Sequence, residues 1–186
     1  MNETTTARRQ TESGISDLAA YCLFCQTQKA GEVAMILEKR GIYRAFSPSI
    51  IKRQRIQGEN HDMVYDLLPG YVFVYSTERI NTTRDFRGIT GIIRRLGEPQ
   101  NGFLLENTDR DFALELYRKK GVVSEITVFK EGDQVCIEDP LFKGCNGKIT
   151  RMDYKKQRAR VEFEFAGEQC STWVACKFME KQDRLF

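Results

Sequence analysis

The chain has 186 residues, room for one or two small domains, since domains run about 50–250 residues. Hydrophobic residues at 41% and charged residues at 30% are close to the ordinary globular mix and exclude a disordered, fibrous or collagenous chain. The net charge is only +3, no window approaches the roughly 18 uninterrupted apolar residues of a membrane span, and the first 17 residues lack a signal-peptide apolar run, so a cytoplasmic protein is expected.

In chain order, residues 1–17 are rich in Thr, Ser and charge and read as a flexible tail. Leu18 to Thr27 is an apolar, aromatic run consistent with a buried central strand. Val33, Ile36 and Leu37 then recur at helical spacing, and Gly41 stands where a helix stops. Ile42 to Ile56 reads as extended around Pro48, and the polar stretch Gln57 to Asp66 as a loop. Leu67 to Tyr75 is the strongest strand in the sequence. Thr77 to Arg87 fits a short helix with Ile80 and Phe86 turned inward, followed by the β-branched run Ile89 to Leu96. After the break at residues 97–102, Asn107 or Thr108 can cap a helix whose buried stripe is Phe112, Leu116, Leu105 and Ala113, with Gly121 ending it. Strand, helix, strand, strand, helix, strand, helix is the order of an α/β sandwich.

Beyond a short link at residues 121–127 the pattern turns to strands alone. Val128 to Glu138 and Gly147 to Met152 alternate, Tyr154 to Arg158 is a polar turn, and Arg160 to Phe165 keeps Val161, Phe163 and Phe165 on one face. Several short strands in so few residues make a small β-barrel. Trp173 is expected to pack the last strand on its core, with nucleic-acid stacking the other reading, and Phe142 is open to the same two readings.

The modest net charge hides two basic runs. Lys39 to Arg55 holds six cations and no acid; Lys143 to Arg160 holds seven cations against Asp153 alone. Such patches fit a phosphate-backbone partner, and they are equally what a solvated face shows. Six cysteines are too sparse for a disulfide scaffold. Cys22 and Cys25 form a C-x-x-C, but three residues apart on a strand they point to opposite faces, which disfavours a shared metal or a disulfide. No catalytic constellation stands out, so an enzyme is not expected, and no cofactor is implied.

Two segments resemble the NusG family. Leu68 to Val74 is similar to its PGYVFV strand, and Arg87, Gly88, Ile89, Thr90, Gly91 with Ile92 and Ile93 to the strand that follows. Gly132, Asp133, Val135, Ile137, Phe142, Lys143, Gly144, Asn146, Gly147, Ile149 and Asp153 look like a KOW motif. The resemblance covers residues 18–181 and implies an α+β chain: an NGN α/β sandwich with a four-stranded sheet at 18–120, a linker at 121–127, a KOW domain of SH3-like barrel type at 128–181, and a tail at 182–186.

The resemblance further implies a transcription elongation factor that docks on the clamp helices of the largest RNA polymerase subunit through solvent-reachable aromatics. Residues matching that surface are Phe24, Tyr71, Phe73 and Ile92, with Thr82 and Thr83 in a loop that faces the opposite side of the DNA channel and the non-template DNA strand. An aromatic pair at Tyr71 and Phe73 is also what a core contains. Asp85 and Phe86 replace the Asn-Thr pair of housekeeping members, and Ala166 stands where they carry a phenylalanine used toward Rho and a ribosomal protein. With the cations Lys143, Lys148, Arg151, Lys155, Lys156, Arg158 and Arg160, the chain looks most like a specialised LoaP-type paralogue, which implies a monomer recruited for antitermination by a nascent leader RNA hairpin; Lys52, Arg53 and Arg55 extend that RNA-binding surface or face DNA. A housekeeping factor coupling polymerase to Rho or the ribosome, a ribosome- or RNA-binding KOW module acting without polymerase, and a thiol oxidoreductase using Cys22 and Cys25 are the alternatives.

Overall fold

The run after Pro69 forms a strand with every residue from Tyr71 to Ser76 buried, and the rest of the N-terminal half is arranged around it. The computed structural model describes residues 14–40, 44–131 and 134–179. Residues 1–13, Gly41, Ile42, the KOW-like pair Gly132 and Asp133, and the C-terminal tail lie outside the described residues. The first elements are β1 (Ala19–Cys25), α1 (Ala30–Lys39), β2 (Arg44–Phe46), β3 (Ser49–Ile56), β4 (Glu59–Asp66), β5 (Tyr71–Ser76), α2 (Thr82–Asp85), β6 (Ile92–Leu96) and α3 (Asn107–Arg118). There follow β7 (Val122–Val123), β8 (Glu125–Glu131), β9 (Gln134–Ile137), α4 (Pro140–Gly144), β10 (Lys148–Asp153), β11 (Arg158–Phe165) and β12 (Glu168–Met179). They fall into two units: Met1–Ser47 with Pro69–Arg118, and Pro48–Leu68 with Lys119–Phe186.

In the first unit a four-stranded sheet runs β2-β5-β1-β6, antiparallel throughout. Alternation along β1 and β5 sends side chains both ways, and a helix covers each face. Tyr21, Leu23, Cys25, Val72 and Val74 pack with Val33, Ala34 and Leu37 of α1. On the other face Phe73 lies 6.1 Å from Phe112 of α3 and Tyr75 lies 4.8 Å from Tyr117, ring centre to ring centre. The Tyr75 hydroxyl donates to the Ala113 carbonyl at 2.8 Å, so the one polar atom of that ring is satisfied. The expected stripe of α3, Phe112, Ala113, Leu116 and the preceding Leu105, is buried. This is the sandwich read from the sequence.

Gly70 allows β5 to begin where it does. Its φ is +86°, and a Cβ there would stand 2.8 Å from the Cys25 carbonyl oxygen, which no side chain tolerates.

In the second unit, two expectations are corrected. The stretch 57–66 is not a loop: β3 and β4 form an eight-residue-per-strand antiparallel hairpin from Ser49↔Asp66 to Ile56↔Glu59. Gln57 and Gly58 turn it with φ of +52° and +91°, the two positive values that suit the twist of paired strands. Most of its side chains are polar or charged, so backbone pairing holds it where burial gives little signal. Residues 121–127 are not a bare linker either, because β7 pairs in parallel with β3 and β8 pairs in parallel with the end of β12. Ile50 and Val123, which face each other in that pair, are completely buried.

The C-terminal strands form a five-stranded sheet, β10-β11-β12-β8-β9, curled into an open half-barrel compatible with the KOW resemblance. Val161, Phe163 and Phe165 of β11 point inward as expected, against Phe142, which is fully buried 5.4 Å from Phe163. Gly147 lets the chain return over Phe142, whose carbonyl oxygen is 2.5 Å from where a Cβ would be. The inward residues of β12 are Thr172, Val174 and Cys176. Trp173 therefore lies on the outer face, a correction of its expected core role, with the Arg158 guanidinium 4.6 Å over its ring.

Gly70→Ala is expected to destabilise the first unit by about 2 kcal/mol or more through that backbone clash, read as a shift of the denaturant midpoint. Ala166, φ +53°, and Gly167, φ +76°, form the two-residue turn between β11 and β12. Since Asn suits the left-handed region better than Ala, Ala166→Asn should stabilise by about 0.5–1 kcal/mol, measured as a raised thermal midpoint.

Candidate functional site

The aromatics expected to grip a partner are placed in the interior. Phe73 has no exposed surface and Tyr71 retains 6%. Phe112 of α3 covers Phe73, whereas Tyr71 packs against Phe24 of β1. Phe24 is half-buried, edge-on to Tyr71 at 5.2 Å, with the Arg94 guanidinium 5.4 Å over its ring. Phe73 is thus a core residue, and Tyr71 contributes little more than a ring edge.

What the first unit presents instead is a hollow of about 490 Å³ between β6 and α2. Phe86, Ile89, Ile92, Ile93 and Phe103 supply its apolar lining, and Arg87, Arg94 and Arg95 add cationic groups. Ile93 is 59% exposed, an uncommon position for a large aliphatic side chain. Ile92, Thr82 and Thr83, expected as site residues, also line this hollow. Thr82 is buried and its hydroxyl donates to the Gly102 carbonyl at 3.4 Å. The Thr83 hydroxyl accepts from Arg95 at 2.6 Å, while the same guanidinium stacks 4.3 Å over Phe103. Thr82 therefore spends its hydroxyl proton on the wall, while the exposed Thr83 holds Arg95 as an acceptor.

Asp85, an unfavourable acid for a DNA-facing loop, has a local structural role. The Asn81 side chain caps α2 by accepting the Arg84 N–H at 3.0 Å, and Asp85 Oδ2 accepts the Asn81 N–H at 3.0 Å. This reciprocal pair is what allows so short a helix to persist.

The predicted cations gather on the second unit. Lys143 is exposed on α4, Lys148 and Arg151 on β10, Lys155 and Lys156 in the turn at 154–157, and Arg160 on β11, with Arg158 half-buried beside it. Arg53 and Arg55 are on β3, where their side chains lie outside the described residues, and Lys52 is half-buried on the same strand. Lys52 stands 5.0 Å over the Tyr65 ring. Burial first, then the charge of Arg158, lowers the Lys52 pKa from 10.5, so the hairpin cation and the barrel cation share one field.

The basic run is not uniform. The outward residues of β11 are Arg158, Arg160, Glu162 and Glu164, with Lys148 opposite Glu162 and Arg151 opposite Arg160. Arg160 leans toward Glu162 at 3.9 Å and donates to Ser171 Oγ at 3.1 Å. Positive potential therefore concentrates at the end of β11 nearest the turn, around Arg151, Lys155, Lys156, Arg158 and Arg160. Alternation predicts this split, because Glu162 and Glu164 share the face of the arginines.

Asp153 organises the turn. Its Oδ1 accepts the Lys156 N–H at 3.1 Å and its Oδ2 accepts Arg158 Nε at 3.2 Å. Desolvation works to raise its pKa; those hydrogen bonds and the charges of Arg158 and Lys156 outweigh it and hold the carboxyl below its usual 3.8. The turn is therefore stapled while the carboxylate is ionised, and the staple weakens as pH falls below the ordinary carboxylate range and Asp153 protonates.

Cys22 and Cys25 are both buried, on opposite faces of β1 as alternation requires. Burial raises the Cys22 thiol well above its usual value and the Cys25 thiol to about 11, the reverse of what thiol chemistry needs. Among the described residues no helix is long and apolar enough to cross a membrane.

Comparison with known proteins finds a family that is similar over part of the chain. Residues 20–109 match the family described as "NusG: Transcription termination factor nusG". No curated protein matches the chain at comparable stringency. A solved structure, described as domain interaction in Thermotoga maritima NusG, is similar at 21% identity and a TM-score of 0.49, over 87% of this chain and 95% of that one. The match at 20–109 spans β1 through the start of α3 and takes in the Gly70 turn, the capped α2 and the β6 hollow, so over that stretch the chain is similar to the NusG family.

Proposed function

We propose that this protein is a transcription elongation and antitermination regulator of a specialised, LoaP-like kind. Its first unit binds RNA polymerase, and the basic edge of its second unit binds a hairpin of the nascent leader RNA. The observation that carries the reading is that the stretch matching NusG also forms an exposed apolar hollow flanked by arginines. Such a surface suits a protein ridge with apolar contacts and acidic neighbours, and it takes the docking role first assigned to Tyr71 and Phe73. Phe24, Arg94 and Ile92 flank or line it.

No chemistry is required. A factor of this kind acts by differential binding: it favours the closed, elongating polymerase by the difference in its affinity for that state and for the paused one. The half-barrel supplies recruitment. A duplex stem shows phosphates and 2′-hydroxyls more readily than base edges, so the cations at the end of β11 suit recognition by shape.

Ile93 is mostly exposed, so Ile93→Asp should leave folding intact and weaken capture of purified RNA polymerase by about 30-fold, the scale of an interface hot spot near 2 kcal/mol. Unchanged capture would overturn the docking assignment. If about four cations meet phosphate, log affinity for a leader hairpin should fall against log salt with a slope near −3. Lys155→Ala/Lys156→Ala should make that slope shallower by about 1.5, and an unaltered slope would count against the basic edge.

A further inference from the structure

This inference rests on the reading that the basic edge binds RNA, and it names the part of the RNA that the edge reads. We propose that Tyr154, stacked on Phe178, receives an unpaired nucleobase, so that the surface selects a hairpin loop or bulge rather than a plain duplex. The two rings lie 5.3 Å apart, centre to centre, with planes inclined by only 23°. Tyr154 is nonetheless 65% exposed and Phe178 37%. A ring stacked on a single partner and still this open keeps most of its surface for another.

The position of the pair gives it meaning. Phe178 shares the inward parity of Thr172, Val174 and Cys176 but sits past the end of the buried core. It offers a fixed apolar backing there, and Tyr154 lies over it. Tyr154 is followed at once by Lys155 and Lys156, both exposed, and the turn is held from below by Asp153 through Lys156 and Arg158. One preorganised turn thus offers a π-face and two ammonium groups. These are the two things a flexible nucleotide needs, stacking for its base and positive charge for its phosphate. An acidic peptide would use the charge but leave the ring unpaired. The neighbouring hollow at Ile51, Ser124 and Gln157 is lined by Lys156 together with Asp62 and Glu125; the two acids disfavour an anionic backbone inside it and leave Lys155 and the outer side of Lys156 to draw that backbone along the turn.

The test uses the full chain and three probes: an RNA hairpin with an unpaired loop carrying a fluorescent adenine analogue, a blunt duplex of the same stem, and polyglutamate. Tyr154→Leu keeps apolar cover over Phe178 but removes the π-face; Tyr154→Phe keeps both. The expected result is a loss of about tenfold in hairpin affinity for Tyr154→Leu, duplex affinity unchanged, wild-type behaviour for Tyr154→Phe, and stacking-induced quenching of the adenine analogue lost only in the leucine variant. Equal effects of Tyr154→Leu on hairpin and duplex, or none on either, would overturn the stacking role while leaving the basic edge intact. If wild type binds neither RNA, or binds polyglutamate more tightly than the hairpin, the RNA reading itself fails and this proposal with it.

Discussion

Burial of β5 on both faces is the constraint from which the rest of the N-terminal unit follows. A strand covered on one side only would leave Tyr71, Phe73 and Tyr75 as an open aromatic row. With α1 on one face and α3 on the other, Phe73 and Tyr75 become core, Tyr71 closes against Phe24, and Tyr75 needs the Ala113 carbonyl to satisfy its hydroxyl. Burying a ring the size of Phe73 contributes about 2–3 kcal/mol, which a partner cannot use again. Surface available for docking is thereby displaced to the edge strand β6, where Ile93 is largely exposed beside the partly buried Ile92 and Arg94 and Arg95 lie beside aromatic rings.

The C-terminal unit shows the complementary case, in which charge rather than apolar surface is unevenly distributed. Strand alternation sorts β11 into a hydrophobic inner row and an outer row that is basic at one end and acidic at the other. The turn at 154–157 adds its cations to the basic end, and Asp153 holds that turn in place. The result is a local electropositive edge on a protein whose net charge is only +3.

Elements whose signal is local were legible in the sequence. Helical spacing of Val33, Ile36 and Leu37, the apolar run into β5 and the period-two pattern of β11 each decide their own structure. The β3–β4 hairpin was not legible, because its strands carry polar side chains and Gln-Gly is a weaker turn signal than Asn-Gly. The covering of Phe73 by Phe112 of α3 is tertiary, set by a residue some forty positions away. The Tyr154–Phe178 stack likewise joins a turn residue to the far end of β12. The cationic residues were readable as a list, but their partition by Glu162 and Glu164 required knowing which face each side chain takes.

The hairpin has a consequence for how the protein can be divided. Residues 48–68 are encoded inside the N-terminal half yet belong to the second unit, through pairing of β3 with β7. The polypeptide therefore passes between the units three times, after Ser47, Leu68 and Arg118. No single cleavage yields both units entire. A fragment ending at Arg118 would carry β3 without β7, leaving Ile50 uncovered, and the complementary fragment would lack the strand that β7 pairs with. Exchange of the second unit between relatives, by recombination or by engineering, has to move two separate stretches of sequence together.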